Sequence, residues 1–335
     1  MADKRGNRRK PPASIAGKVF LVVFTIFFVF SLGIYLNEEI FKLEFIPTSA
    51  ELSAMLTGRN TTVTTADGEV SVHYIDVEQG DCELIVAGDT RVLIDTGEAI
   101  YSNRVINYIS SLGIRRLDYV IASHPHEDHI GGMADVLDKF SIGKVIMPEI
   151  PEKILPMTKN FERMLDVISR KGITAEYSQT GTNIPLGNGA VLQILAPVHD
   201  DYADLNNFSI VCRLIHGEKS FLFTGDIERA AENDILNSGE YIRSNVLKVG
   251  HHGSTSSSTA AFIEAVSPEY AVICVGEDNS YGHPKQAVLD RLAAHGVKKI
   301  LTTMDSGNIV FVSDGEKFSI YSDDGEGNFR TEDAA

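Results

Sequence analysis

The sequence predicts an α/β domain of two β-sheets packed face to face and covered by helices, carried behind a membrane-anchoring segment. Three observations lead there. A chain of 335 residues can bury a full core. From Val70 onward, strand-like runs fall into two groups, each interleaved with segments of helical period. Ahead of them, an uncharged apolar stretch follows a basic one. Two strand-rich halves that each carry helices bury their apolar faces as two stacked sheets with helices outside.

Residues 1–18 hold Lys4, Arg5, Arg8, Arg9, Lys10 and Lys18 against Asp3 alone, and read as a basic tail. Residues 19–36 are apolar apart from Thr25 and Ser31 and carry no charge. As a helix they would span roughly 27 Å, close to the ~30 Å hydrocarbon core of a bilayer. A buried core helix is disfavoured because the stretch is apolar on every face. A cleaved signal peptide is disfavoured because the run is long and Asn37-Glu38-Glu39-Ile40 offers no small-x-small site. The expectation is a single-pass, uncleaved anchor in the cell membrane. Its basic end would stay cytoplasmic and the remainder of the chain would be extracytoplasmic. Residues 37–69, rich in Thr and Ser, read as a linker, 70–322 as the folded domain, and 323–335 as a disordered polar tail.

Within the domain, Val70–Ile75 alternates like a strand, and Glu83–Ala87 and Arg91–Ile94 follow it, separated by the turn signals Gly80-Asp81 and Gly88-Asp89. Ser102–Leu112 places Val105, Ile106, Ile109 and Leu112 at helical spacing, with Gly113 as its cap. Leu117–Ala122 is a strand that leads into a histidine cluster, and a helix begins near Met133. The second half reads as strands over 191–195, 209–215, 220–224, 246–249, 270–275 and 299–302, with helices over 228–237, 259–266 and 286–295. Strands over 307–312 and 317–321 close the domain, and the stretch between 134 and 190 carries no assignment.

The formal net charge is −16, and the first 36 residues hold six basic side chains and one acidic, so the rest stands near −21. Tight nonspecific binding of nucleic acid rests on basic side chains neutralising phosphates, and this surface opposes it within the reach of salt screening. Cys82, Cys212 and Cys274 are widely spaced and odd in number, and read as buried thiols.

The chemistry concentrates in His124-Pro-His126-Glu-Asp128-His129, directly after a strand and before Gly131-Gly132. Four ligand-type side chains in six residues point to a metal site, and imidazole with carboxylate suits zinc, manganese or iron rather than calcium. The glycines are expected to let the backbone turn tightly into the next helix.

This loop resembles the His-x-His-x-Asp-His signature of the metallo-β-lactamase superfamily. More narrowly, the chain resembles the soluble metallohydrolase domain at the C-terminus of ComEC-type competence proteins. That likeness rests on 74–81, Leu93-Ile-Asp-Thr-Gly97, 207–211, Thr224-Gly-Asp226, His251-His-Gly-Ser254 and Tyr281-Gly-His-Pro284. The resemblance implies a four-layer αββα sandwich with two divalent metal ions, zinc or manganese, at the rim between the sheets. It implies His124 and His126 on the first metal, Asp128 and His129 on the second, Asp226 bridging, and His251 as the last histidine ligand, with His252 the alternative. A third histidine for the first metal is missing, which leaves occupancy of both sites open. The corresponding stretch offers Asn207, expected to donate to a substrate oxygen, while His216 is expected to be solvated at a hairpin turn.

Asp76 and Asp95 each close an apolar strand and are candidates to orient a ligating histidine. Ser254, His252 and His283 are candidates to line the substrate side, with His252 and His283 able to steady or protonate a reacting oxygen. Asp128 or Asp226 could hold the attacking water. Lys248 reads as a surface residue. The expected activity is hydrolysis by metal-bound hydroxide. The expected substrate is a small or envelope-bound phosphoester outside the cell, most of all a phosphodiester. Extracellular DNA cleavage is the alternative, disfavoured by the acidic surface, and a non-catalytic surface-binding module is the third reading.

Overall fold

The computed structural model describes residues 24–25, 28–33, 35, 63, 65–323 and 328–332. The basic tail 1–18, half of the anchor 19–36 and most of the linker 37–69 lie outside the described residues. Those of the anchor that are described are helical. Among the described residues no helix is long and apolar enough to cross a membrane.

The chain first lays down β1 (Val70–Tyr74), β2 (Glu83–Ala87), β3 (Thr90–Ile94), β4 (Arg116–Ile121), β5 (Ser141–Met147) and β6 (Thr174–Tyr177). It continues with β7 (Asn183–Pro185), β8 (Val191–Ala196), β9 (Val211–His216), β10 (Lys219–Phe223), β11 (Val246–Lys248), β12 (Tyr270–Ile273) and β13 (Lys299–Thr302). The last strands are β14 (Ile309–Ser313), β15 (Phe318–Asp323) and β16 (Phe329–Glu332). One sheet has the order β16-β15-β14-β1-β2-β3-β4-β5-β6 and the other β13-β12-β11-β10-β9-β8-β7. The sheets are therefore not simply the two halves of the domain. After β13 the chain crosses back, and β14 pairs antiparallel with β1, Ile309 opposite Tyr74. Every side chain of β14 is buried, as an inner strand covered on both faces requires.

The described part of the expected disordered tail is ordered. Phe329–Glu332 pairs with β15, and Glu332 is held by Lys299 at 2.8 Å and by Ser322 Oγ at 2.5 Å. His216 also differs from expectation: it is buried, with Nδ1 3.0 Å from Ser313 Oγ on β14, because its hairpin packs against the first sheet rather than water.

Helices α1 (Ser102–Ser111), α2 (Glu127–Ile130), α3 (Met133–Lys139) and α4 (Lys159–Lys171) belong to the first sheet; α5 (Arg229–Ser238), α6 (Ala260–Val266) and α7 (Gln286–Ala294) belong to the second. Three separate apolar clusters make the layers explicit. Val72, Tyr74, Ile85, Phe221, Phe223, Val272 and Phe311 pack between the sheets. Leu93, Ile109, Val136 and Met164 join the first sheet to its helices. Leu222, Leu247, Ile235, Phe262 and Val288 do the same for the second. All three cysteines are free and buried. Strands β3 to β6 are mutually parallel, as are β10 to β13. Their carboxyl ends gather the loops that matter.

Candidate metal centre

In parallel α/β sheets the groups that bind ligands stand beyond the carboxyl ends of the strands. Here β3 leads into Asp95, β4 into His124–His129, β10 into Asp226, and β11 into His251-His252. The histidine loop is clamped from both sides. Asp95 N donates to Ile121 O at 2.9 Å, Thr96 N to His129 O at 2.7 Å, and Asp81 N to Asp128 O at 3.1 Å. Gly131 serves by its size rather than by a special turn: its backbone is ordinary helix, but a Cβ there would lie 2.5 Å from Ala99 N and from Glu127 O.

Asp128, His129, Asp226 and His252 bring one ligand atom each to within 4.8 Å of one another. His129 Nε2 lies 3.3 Å from Asp226 Oδ2, and His252 Nε2 lies 3.3 Å from Asp128 Oδ2 and 3.4 Å from Asp226 Oδ2. Both Nε2 atoms and Asp226 Oδ1 are buried without a hydrogen-bond partner. Unpartnered buried imidazole nitrogens aimed at two carboxylates are a costly arrangement alone, and a fitting one for a divalent cation. The electrostatics agree. Burial works to keep His252 neutral, yet Asp226 and Asp81 outweigh it and push its pKa up to about 10. Burial likewise opposes charge on His129, and Asp226 and Asp95 raise it well above the usual imidazole range. The ionised carboxylates thereby favour protons on the two imidazoles, which a metal would displace.

The tight turn after β11 decides which of two neighbouring histidines enters. His251 and His252 both take left-handed backbone conformations, φ 50° and 52°, a strained pairing of the kind that clusters at functional sites. His252 goes inward and its Nδ1 donates to Cys274 O at 2.8 Å. His251 stays at the rim, Nε2 3.8 Å from Asp226 and Nδ1 3.4 Å from Glu228. Of the two candidates for the last histidine ligand, His252, the alternative to His251, is the one grouped with Asp128, His129 and Asp226.

His129 is oriented by Asp95, whose Oδ2 accepts from Nδ1 at 2.7 Å while its other contacts come from Ser123 N and Ser123 Oγ. Asp76 does nothing of the kind: its carboxylate pairs with Arg104 at 2.8 Å and accepts from Glu78 N at 2.9 Å, a turn-capping role away from the histidines. His124 and His126 lie against each other, Nε2 to Nδ1 at 3.0 Å, and no third side chain joins them in a ligand group among the described residues. The carbonyl of Asn207 is committed to the protein. The residue is buried, and its Oδ1 accepts from Glu228 N at 3.1 Å and Ala231 N at 3.2 Å, capping the free amides at the start of α5.

On the open side, Asn279 grips the backbone of His283 twice, at 2.8 Å each. The His283 ring stacks on Tyr281 at 5.6 Å and stands 5.8 Å from the His251 ring. Burial, with His251 and His252 nearby, lowers its pKa to about 4. Ser254 lies at the rim, Oγ 2.9 Å from Ser256 Oγ.

Two residues of the centre were not foreseen. Lys248 is only 1% exposed and its ammonium pairs with Asp81, also buried, while donating to Gly225 O at 3.0 Å. In the sequence Asp81 reads as part of a turn signal with Gly80. The apolar residues on either side of Lys248, in Val246-Leu-Lys-Val249, are the available signal that both faces of the strand are covered.

A four-layer sandwich with histidines and carboxylates converging at the strand ends defines a metal-dependent hydrolase. The model of the metallo-beta-lactamase superfamily matches residues 75–277, and the chain belongs to that superfamily. It is similar to ComE operon protein 3 of Bacillus subtilis (strain 168), 32% identical over 264 residues, covering 73% of this chain and 33% of that protein. It is likewise similar to Competence protein ComA of Neisseria gonorrhoeae, 32% identical over 249 residues, covering 73% of this chain and 32% of that protein. The chain thus spans about a third of the length of these relatives. Among solved structures, the metallo-beta-lactamase fold protein YhfI from Bacillus subtilis matches with a TM-score of 0.48 at 12% identity, over 73% of this chain and 100% of that one.

Proposed function

We propose that this protein is a metal-dependent phosphoesterase, with phosphodiesters as its main substrates. The observation that carries the reading is the convergence of the two unpartnered Nε2 atoms, of His129 and His252, on the carboxylates of Asp128 and Asp226. Divalent ions held there would lower the pKa of water and polarise a phosphoryl oxygen. Asp128, His129, Asp226 and His252 would hold one ion, and His124 and His126 would contribute two ligands to a second, more open position; zinc and manganese both suit this donor set. Asp95 keeps His129 in the tautomer that leaves Nε2 free. In this reading Asp128 and Asp226 would accept hydrogen bonds from the attacking water, and His283, held by Asn279 and stacked on Tyr281, would bind a phosphoryl oxygen or serve the leaving group.

We place the substrate outside the cytoplasm, small or envelope-bound, on the strength of the apolar run at 19–36 and its basic flank. DNA is the second reading, favoured by the likeness to proteins named for competence and opposed by the charge of −16. The test is a panel of phosphomonoesters, phosphodiesters and single-stranded DNA, assayed on the zinc- and manganese-loaded chain and on Asp128→Asn. The expected result is diester turnover that requires metal and collapses in the variant. Turnover of DNA in preference to small diesters would favour the second reading; no metal-dependent turnover on any member would remove both.

A further inference from the structure

The geometry points to Asp81 and Lys248 as a buried ion pair that positions the metal ligands across the gap between the two sheets. The inference rests on the reading of Asp128, His129, Asp226 and His252 as a metal centre. Asp81 leaves the loop after β1, in the first sheet; Lys248 ends β11, in the second. Their charges meet in the interior, each residue 1% exposed.

From there the pair reaches ligands on both sides. Asp81 Oδ2 lies 3.7 Å from Nδ1 of His129, which belongs to the first sheet, and Asp81 Oδ1 lies 3.4 Å from Nδ1 of His252, which belongs to the second. Each of those nitrogens already has a closer acceptor, Asp95 and the Cys274 carbonyl. Asp81 therefore adds one negative charge behind both imidazoles at once, favouring the tautomers whose Nε2 atoms face the metal position. Lys248 Nζ lies 3.8 Å from Asp226 Oδ1, the carboxylate oxygen without a hydrogen-bond partner, and is tied to the carbonyl of Gly225 next to it. Its ammonium offsets the crowding of Asp81, Asp226 and the buried Glu83, and fixes the lateral position of the carboxylate shared by His129 and His252.

These are positioning residues, so their loss should register in metal affinity. Metal-free full-length chain is titrated with Zn²⁺ as wild type, Asp81→Asn, Lys248→Met and the double variant, with circular dichroism recording the fold of each. The expected result is a 10–100-fold rise in Kd for each single change, with the double variant no worse than the weaker single, as for groups acting as a unit. Lys248→Met strands a buried carboxylate and risks misfolding; the double variant removes both charges together and then carries the test beside Asp81→Asn. Folded variants that melt at lower temperature but bind Zn²⁺ with wild-type Kd would overturn the inference and leave the pair a purely structural one. A wild type that takes up no Zn²⁺ or Mn²⁺ would instead overturn the metal-centre reading itself.

Discussion

Replacing His252 with alanine should cost the centre most of its metal affinity, whereas the same change at His251 should leave it largely intact. The two side chains are adjacent in sequence, but only His252 has a buried, unpartnered Nε2 within 3.4 Å of both Asp128 and Asp226. His251 reaches Asp226 at 3.8 Å, is about a quarter exposed, and has its other nitrogen beside Glu228. Zinc held by four protein ligands is bound by about 10–16 kcal/mol, so one ligand accounts for about 3 kcal/mol, roughly a hundredfold in Kd. His252→Ala also leaves the Cys274 carbonyl without its donor, an added stability cost of about 1–3 kcal/mol. For that reason affinity is measured by chelator competition on protein shown to be folded. The expected outcome is a Kd raised about a hundredfold in His252→Ala and changed less than about threefold in His251→Ala. Equal losses in the two variants, or a larger loss in His251→Ala, would refute the assignment.

Asp95→Asn should weaken metal binding 10–100-fold, because an amide cannot match the carboxylate that accepts from His129 Nδ1 at 2.7 Å; unchanged uptake on equilibrium dialysis would count against an orienting role. Asn207→Ala should lower stability by about 1–2 kcal/mol, since it uncaps two amides of α5, with metal content per folded molecule unchanged; a rise in KM without loss of stability would show a substrate role in place of a capping one. His73 is buried between Ser71 and Tyr108, and burial lowers its pKa to about 3 from 6.5. Below pH 6.5 the unfolded chain takes up a proton that the folded chain refuses until about pH 3. This contribution to stability is therefore complete above pH 6.5 and is lost as pH falls, by about 1.4 kcal/mol per pH unit. Urea melts of metal-free protein at pH 7 and pH 5 should show a shallower pH dependence in His73→Gln than in wild type; identical slopes would dispose of the idea.

The parts of the fold legible in the sequence were those whose signal is local. Strand and helix patterns over 70–122 and 191–302 carry their periods in contiguous residues, and most elements fall within two residues of the expected limits. Helix α4 carries an equally local signal: Thr158 caps it, Phe161, Met164, Val167 and Ile168 follow the helical period, and Gly172 ends it in a left-handed conformation. The partition of strands between sheets was not legible. Whether β14 joins the first or the second sheet depends on which edge its two apolar faces can cover, a property of the assembled layers.

For the candidate site the division is similar. The sequence by itself determined the ligand types, their order along the chain, and their placement after strand ends, because those follow from residue identity and local pattern. Only the tertiary structure decided that His252 rather than His251 turns inward, that Asn207 caps a helix, that Asp76 serves a turn, and that Lys248 is buried against Asp81. Each of those outcomes depends on a partner more than 20 residues away, or on a backbone turn whose handedness no side-chain pattern announces. Burial from both sheets then converts a strand lysine, exposed on any one-sheet reading, into a charge that must find a carboxylate.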